Sequence, residues 1–132
     1  ASNDGISLYI CSAYRSYADQ EYQYNIFADE RGIQAADEVS ARPGHSEHQT
    51  GLAIDVNSTE FSFEDTEEAK WLAEHCTEYG FIIRFPKGKE QFTGFEYEPW
   101  HIRYLGIETA KKVTESGLCL EEYLGVTSEY KD

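Results

Sequence analysis

The chain has 132 residues, with 11 lysines and arginines against 25 aspartates and glutamates, which gives a formal net charge of −14. This length predicts one domain with one core, and a hydrophobic fraction of 40% is too high for a disordered acidic tail. The charge argues against a nucleic-acid partner, because such proteins neutralise phosphates with clustered cations. No apolar run reaches the ~20 residues that cross a bilayer, so no membrane segment is predicted in this chain.

In chain order, β-favouring residues predict a first strand over Ile6–Cys11. A helix is predicted from about Tyr17 to Arg31, where Gly32 ends it. Polar residues with proline and glycine predict a loop over Val39–Gly51, and Leu52–Val56 alternates like a strand. The three cysteines have no CxxC spacing and are odd in number, so a disulfide scaffold is not expected.

The second half of the chain contains the clearest helix signal. Asp65 is a candidate N-cap, and Glu68 follows three residues later, as in a capping box. The apolar residues that follow form one helical stripe: Ala69, Leu72, Ala73 and Cys76. Gly80 is expected to end this helix, and both Cys76 and the earlier Cys11 are expected to be small buried residues.

Two further strands and a short helix are predicted near the end of the chain. The strands are Phe81–Phe85 and Trp100–Leu105, with a loop over Pro86–Gly94, and the helix is Thr109–Glu115. Short strands among helices, without regular βαβ spacing, predict an α+β fold. We expect a small, mostly antiparallel sheet flanked by helices.

Three residues form a candidate metal site. Asp55 lies between Ile54 and Val56 in a predicted strand, and a buried aspartate there must be paired or bind a metal, although a solvated face is the alternative. His48 precedes it by seven residues, and His101 opens a later strand. Two histidines and one aspartate are a good zinc set, and three protein ligands leave a fourth position for water, as in catalytic sites.

Two charged residues are candidates for catalysis. Glu98, three residues before His101, could act as general base on a metal-activated water, and the intervening Trp100 would add apolar bulk that keeps the site dry. Arg15 lies just after the first strand, where a fixed guanidinium could stabilise negative charge on a carbonyl oxygen or hold a carboxylate. The alternative for Arg15 is a surface cation in an acidic chain.

Three blocks of sequence together resemble a known family. They are Ser12-Ala13-Tyr14-Arg15-Ser16, Ser46-x-His48-x-x-Gly51-x-Ala53-x-Asp55 and Glu98-x-Trp100-His101. This order and spacing resemble the VanY-type D-alanyl-D-alanine carboxypeptidases, which belong to a zinc metallopeptidase superfamily that also includes lysostaphin-like endopeptidases and the hedgehog signalling domain. The similarity covers roughly residues 6 to 115, most of the chain.

The resemblance implies roles for individual residues and the fold of the hedgehog and D-Ala-D-Ala peptidases. His48, Asp55 and His101 would be zinc ligands. Glu98 would be the catalytic base, and Arg15 would stabilise the oxyanion and help to orient the substrate. Four further residues are predicted to lie beside the substrate: Ser12, Gln20, Ser46 and Trp100.

The implied activity is removal of the C-terminal D-Ala from peptidoglycan stem peptides by zinc-activated water, in cell-wall remodelling or glycopeptide (vancomycin) resistance. The alternatives are an L,D-carboxypeptidase or a dual D,D-dipeptidase and carboxypeptidase using the same site, or a zinc-binding module without turnover. Residues 1–132 would be one zinc peptidase catalytic domain that lacks the family's N-terminal segment. The expected location faces the cell wall, with anchorage through that missing segment, and the cytoplasm is the alternative.

Overall fold

The centre of the fold is a four-stranded antiparallel sheet in the computed structural model, which describes residues 1–128. Its strands are β1 (Ile10–Ser12), β2 (Ala53–Val56), β3 (Phe81–Phe85) and β4 (Glu98–Tyr104). They lie in the order β1-β2-β4-β3, so that β4 is hydrogen-bonded to both β2 and β3. The α+β class and the antiparallel sheet are therefore confirmed.

Six α-helices accompany the sheet within the described residues. They are α1 (Tyr17–Arg31), α2 (Ile33–Val39), α3 (Glu67–His75), α4 (Glu90–Thr93), α5 (Ile107–Ser116) and α6 (Leu120–Leu124). The prediction for α1 is confirmed at both ends. The helices α2, α4 and α6 were not predicted from the sequence, because helices of four to seven residues are too short to show a 3.6-residue period. None of these helices is long and apolar enough to cross a membrane.

Side-chain caps determine where the two clearest helices begin. Ser16 caps α1, with its Oγ accepting from the amide of Asp19 and the Asp19 carboxylate accepting in return from the Ser16 amide. The capping box predicted at Asp65 is wrong, because Asp65 ends a 3₁₀ turn that begins at Phe61. Thr66 has the extended backbone of an N-cap, and its hydroxyl accepts from the amide of Ala69.

The first strand is shorter than predicted, and Cys11 is exposed rather than buried. The strand is short because the side chain of Asn57 bonds to backbone groups of residues 7 and 9. In a longer first strand these groups would pair with the backbone of β2. The carboxamide of Asn57 accepts from the amide of Tyr9 and donates to the carbonyl of Ser7. The chain before Ile10 is therefore held by the Asn57 side chain together with one backbone hydrogen bond, from the amide of Asn57 to the carbonyl of Tyr9.

The two faces of the sheet carry different side chains, because successive side chains along a strand point to opposite faces. One face carries Val56, Trp100 and Ile102 into the main core, where they pack with Leu72 and Cys76. The opposite face of the same strands carries Asp55 and His101. A second, smaller core cluster packs Ile82 against α5 and α6. The polar face is thus supported by an apolar layer directly behind it.

Gly80 joins the helical turn after α3 to β3, and we expect that no side chain is tolerated there. Its φ is +85°, and an added Cβ would lie 2.9 Å from the ring of Tyr104 and 3.0 Å from the backbone of Gly106 and Ile107. Gly80→Ala should cost roughly 2–4 kcal/mol of unfolding free energy, from the left-handed backbone and from overpacking together. Urea unfolding measures this loss.

Gly117→Ala is the matched control for that substitution. Gly117 has a φ of +69° and nothing within 4 Å of an added Cβ, so that only the backbone contribution applies. Gly117→Ala should lower the unfolding free energy by about 1–2 kcal/mol. Equal losses for the two variants would contradict the claim that close packing around Gly80 matters.

Candidate metal centre

Three elements bring His48, Asp55 and His101 together on the polar face of the sheet. His48 lies in a 3₁₀ turn (Glu47–Thr50), Asp55 in β2 and His101 in β4. Asp55 and His101 are direct partners in the antiparallel register, which puts their side chains next to each other on one face. All three residues are buried, and one ligand atom from each lies within 4.8 Å of the others.

A hydrogen bond to the backbone orients His48. Its Nδ1 lies 2.7 Å from the carbonyl oxygen of Ala13, so Nδ1 carries the proton and donates it. The lone pair is then on Nε2, which lies 3.3 Å from Oδ2 of Asp55. A metal-binding histidine commonly donates its second nitrogen in this way, which fixes its tautomer and ring orientation.

His101 lies among three carboxylates. Its Nδ1 is 3.4 Å from Oδ1 of Asp55 and 3.3 Å from Oε2 of Glu98, while its Nε2 faces Oε2 of Glu47 at 3.4 Å. Burial lowers the pKa of His101, but the carboxylates outweigh it and raise that pKa to about 9. Without a metal, His101 is therefore a cation that balances the surrounding negative charge.

These residues fit a divalent metal ion. Oδ1 of Asp55 is buried and has no hydrogen-bond partner among the described residues, which is costly unless a cation satisfies it. Two imidazole nitrogens and one carboxylate oxygen are the donor set of three-ligand zinc sites. His48 Nε2, Asp55 and His101 Nδ1 would hold the ion, since the remaining nitrogen of each ring faces an acceptor.

Two predicted catalytic residues flank the ligands. Glu98 lies at the start of β4, with its carboxylate beside His101. Arg15 follows β1, and its Nη2 is 3.9 Å from Oδ2 of Asp55. The backbone amide of Arg15 donates to the carbonyl of His48, which ties this segment to the 3₁₀ turn. Both side chains border the candidate metal position, and their roles stay predictions.

Ser12 and Gln20, predicted to lie beside the substrate, both contact the guanidinium of Arg15. Its Nη1 donates to Oε1 of Gln20 at 2.8 Å, and its Nη2 donates to the hydroxyl of Ser12 at 3.0 Å. Gln20 is 1% exposed, and its amide nitrogen donates to Ser40 and to the carbonyl of Ala41. The two residues hold Arg15 in place, and any contact with a substrate stays a prediction.

The other two residues predicted beside the substrate are Ser46 and Trp100, and both are buried. The hydroxyl of Ser46 accepts from the amide of His48, so it caps the turn that carries this histidine. Trp100 lies in the main core and meets the ring of Phe61 edge to face at 5.4 Å. A direct contact with substrate stays a prediction for each.

One cleft connects all of these groups. It has a volume of about 790 Å³, and its walls include the three candidate ligands, Glu98 and Arg15. All nine residues predicted from the sequence to form the site line this cleft: Ser12, Arg15, Gln20, Ser46, His48, Asp55, Glu98, Trp100 and His101. A cleft of this size accommodates a small peptide beside the candidate metal position.

The sequence of this chain is similar to a known protein family. The sequence model of the VanY family, described as D-alanyl-D-alanine carboxypeptidase, matches residues 1–107. The chain belongs to this family. It is 44% identical over 129 residues to YodJ of Bacillus subtilis, covering 93% of this chain and 47% of that protein. It is 40% identical over 133 residues to a D-alanyl-D-alanine carboxypeptidase of Enterococcus faecalis, covering 94% and 50%. The chain thus spans about half the length of these curated relatives.

Solved structures of similar proteins share this VanY-family fold. The LD-carboxypeptidase LdcB is 41% identical and superimposes with a TM-score of 0.88, covering 96% of this chain and 62% of that one. VanYB in complex with D-alanine-D-alanine is 39% identical, with a TM-score of 0.86 over 95% and 74% of the chains. A VanY D,D-pentapeptidase variant in complex with Zn(II) is also 39% identical, with a TM-score of 0.84 over 94% and 75%.

Glu47 is the residue of this site that the sequence analysis missed. Burial raises the pKa of Glu47, but contacts with His101 and Arg84 outweigh it and lower that pKa to about 2. Glu47 is therefore an anion at neutral pH. Its position between Ser46 and His48, inside a family motif, was a signal of proximity to the site. Its partners lie 37 and more residues away, so spacing alone does not reveal them.

The raised pKa of His101 predicts a pH-dependent metal affinity. Below pH 9 the metal-free protein holds a proton on His101, and Zn²⁺ has to displace it. The zinc affinity should therefore fall about tenfold for each unit that the pH drops below 9, as expected for release of one proton. Calorimetry at pH 7.5 in buffers of different protonation enthalpy should detect about one released proton per zinc. Zinc uptake without proton release would contradict the charge state given to His101.

Proposed function

We propose that this chain is the catalytic domain of a zinc-dependent D-alanyl-D-alanine carboxypeptidase that removes the C-terminal D-Ala from peptidoglycan stem peptides. The observation that carries the proposal is the buried set of His48, Asp55 and His101, which lines a cleft that Glu98 and Arg15 also line. The relative that forms a complex with Zn(II) and the one that forms a complex with D-alanine-D-alanine support the choice of metal and of substrate.

The residues of the cleft can divide the chemistry between them. When bound, zinc supplies an activated water and polarises the scissile carbonyl. Glu98 takes a proton from the water as its oxygen bonds to the carbonyl carbon, and then gives that proton to the nitrogen of the departing D-Ala. Arg15, held by Ser12 and Gln20, donates towards the carbonyl oxygen as negative charge develops there. The products are free D-Ala and a peptide shortened by one residue.

The second candidate activity is that of an L,D-carboxypeptidase, in which this chain would cleave tetrapeptide stems. It is favoured by the structural similarity to LdcB, an LD-carboxypeptidase. A bifunctional dipeptidase and carboxypeptidase of Enterococcus gallinarum, 35% identical over 122 residues, supports a third substrate, the free dipeptide. D-Ala release from pentapeptide, tetrapeptide and D-Ala-D-Ala separates these activities. Zinc uptake with no D-Ala released from any of them would indicate a zinc-binding module without turnover.

The proposed substrate also indicates where the protein acts and what it does there. Stem peptides that end in D-Ala-D-Ala are the ligands of glycopeptide antibiotics. Removal of the terminal D-Ala therefore lowers the number of antibiotic binding sites. We therefore propose a role in cell-wall remodelling or vancomycin resistance. We also propose a location facing the cell wall, with the cytoplasm as the alternative.

Glu98→Gln should keep the zinc and lose most of the turnover. The amide cannot accept a proton from water, while the three ligands are unchanged, and loss of a general base costs roughly 10²- to 10⁴-fold in rate. The measurement is D-Ala release from a pentapeptide together with zinc content by elemental analysis. His48→Ala should instead lose the metal, because one of three ligands is removed.

Glu96→Gln is the matched control for Glu98→Gln. Glu96 is an exposed carboxylate that lines the same cleft two residues earlier, so that the change in charge is the same. Its rate should stay close to that of the wild type. If Glu98→Gln hydrolysed the pentapeptide as fast as Glu96→Gln, the assignment of the base to Glu98 would be wrong.

A further inference from the structure

A mostly buried chain of charged side chains connects α6 with the candidate metal centre. It runs from Glu121 on α6 to Arg84 on β3, then to Glu47 in the 3₁₀ turn, and ends at His101 on β4. Glu121 is 7% exposed and Arg84 is 8% exposed, so both lie inside the protein. We call these residues the ion chain. No step of the proposed reaction uses Glu121, Arg84 or Glu47.

Glu47 has its two oxygens turned to different partners. Oε1 accepts from Nε of Arg84 at 2.6 Å and from Nη1 of Arg103 at 2.7 Å. Oε2 is buried and faces Nε2 of His101 at 3.4 Å, and neither of these two atoms has a hydrogen-bond partner among the described residues. A shift of roughly 0.5 Å would make this contact an ordinary hydrogen bond. The two arginines therefore aim the second oxygen of Glu47 at a metal-binding histidine.

Arg84 is itself held from the other side. Its Nη1 lies 2.9 Å from Oε2 of Glu121, and its Nη2 lies 2.5 Å from Oε1 of the same carboxylate. This forked pair gives the guanidinium one orientation, which leaves its Nε pointing at Glu47. The guanidinium also lies over the ring of Phe85, 4.9 Å from its centroid, and that ring is 4.9 Å from the ring of His101.

The arrangement is difficult to explain by stability alone. Removing charged groups from water is expensive, and buried ion pairs are often no more stabilising than apolar side chains of similar size. The ion chain instead ends at the metal centre, because Oε2 of Glu47 faces Nε2 of His101. That is the nitrogen opposite the one that faces Asp55. A carboxylate in this place holds the proton on Nε2 and keeps the lone pair of Nδ1 turned to the metal position.

We infer that Glu47 is a positioning residue for His101, and that Glu121 supports it through Arg84, so that α6 contributes to metal retention through side chains that are not candidate ligands. This inference rests on the metal site of the proposed function. It adds a structural element that lies beyond the residues 1–107 matched by the family model. The expected consequence is a weaker metal site when either carboxylate is changed.

The test is the zinc dissociation constant of purified variants of the whole chain, measured by competition with a chelator. Glu47→Gln should weaken zinc binding about 10- to 100-fold, the usual effect of removing the partner of a metal-binding histidine. Glu121→Gln should weaken it in the same direction but less, because Arg84 and Arg103 still hold Glu47. Thermal unfolding of the metal-free variants shows whether each one is folded.

Glu122→Gln is the control for Glu121→Gln. Glu122 lies on the same helix, pairs with Lys89 at 2.7 Å and accepts from the amide of Cys119. A glutamine can still accept from that amide, so that the variant loses one charge and one ion pair outside the ion chain. Its zinc affinity should equal that of the wild type. The Glu47→Gln, Glu121→Gln double variant should lose less affinity than the two single losses combined, because both residues act through one route.

A spectroscopic readout separates positioning from a general loss of stability. With Co²⁺ in place of zinc, the visible absorption bands report the ligand geometry, and they should change in Glu47→Gln but stay unchanged in Glu122→Gln. Unchanged zinc affinity and unchanged cobalt bands in folded Glu47→Gln would overturn the inference alone. Zinc uptake by the wild type without D-Ala release would overturn only the proposed function. Failure of the wild type to bind zinc would overturn both.

Discussion

The antiparallel register between β2 and β4 pairs Asp55 with His101, and the rest of the site is arranged around this pair. Because side chains alternate along a strand, the neighbours of Asp55 and His101 point the other way, into the apolar core. Trp100 and Ile102 pack there against α3 and hold the strands at this register. A slip of either strand by one residue would turn its own ligand into the core and away from the other ligand, so that packing behind the sheet maintains the geometry of the site.

Electrostatic balance explains the rest of the cleft. Asp55, Glu98 and Glu47 all lie beside His101, and Asp55 also lies beside His48, in a chain that as a whole carries a charge of −14. The structure places Arg15 on one side of this cluster and Arg84 with Arg103 on the other. A divalent cation between His48, Asp55 and His101 would complete the balance, and it would satisfy the oxygen of Asp55 that has no other partner.

Local sequence signals predicted the parts of this protein that depend on local contacts. α1 was predicted with both ends, and Gly32 marked the second of them. Eight of the nine predicted site residues lie in the three family blocks, and all nine line the cleft. The short helices were missed, and the cap of α3 was misplaced by one residue because a 3₁₀ turn already occupies Asp65. The ion chain was missed for a different reason. Arg84 meets Glu47 and Glu121 across 37 residues in each direction, and no local pattern marks such pairs.

The most direct test of the account is a zinc titration of the metal-free protein during hydrolysis of a pentapeptide stem that ends in D-Ala-D-Ala. The three-ligand site predicts that the rate of D-Ala release rises in proportion to added zinc and stops rising at one equivalent. D-Ala release by the metal-free protein, or a zinc-loaded protein that releases no D-Ala from any stem peptide, would contradict it.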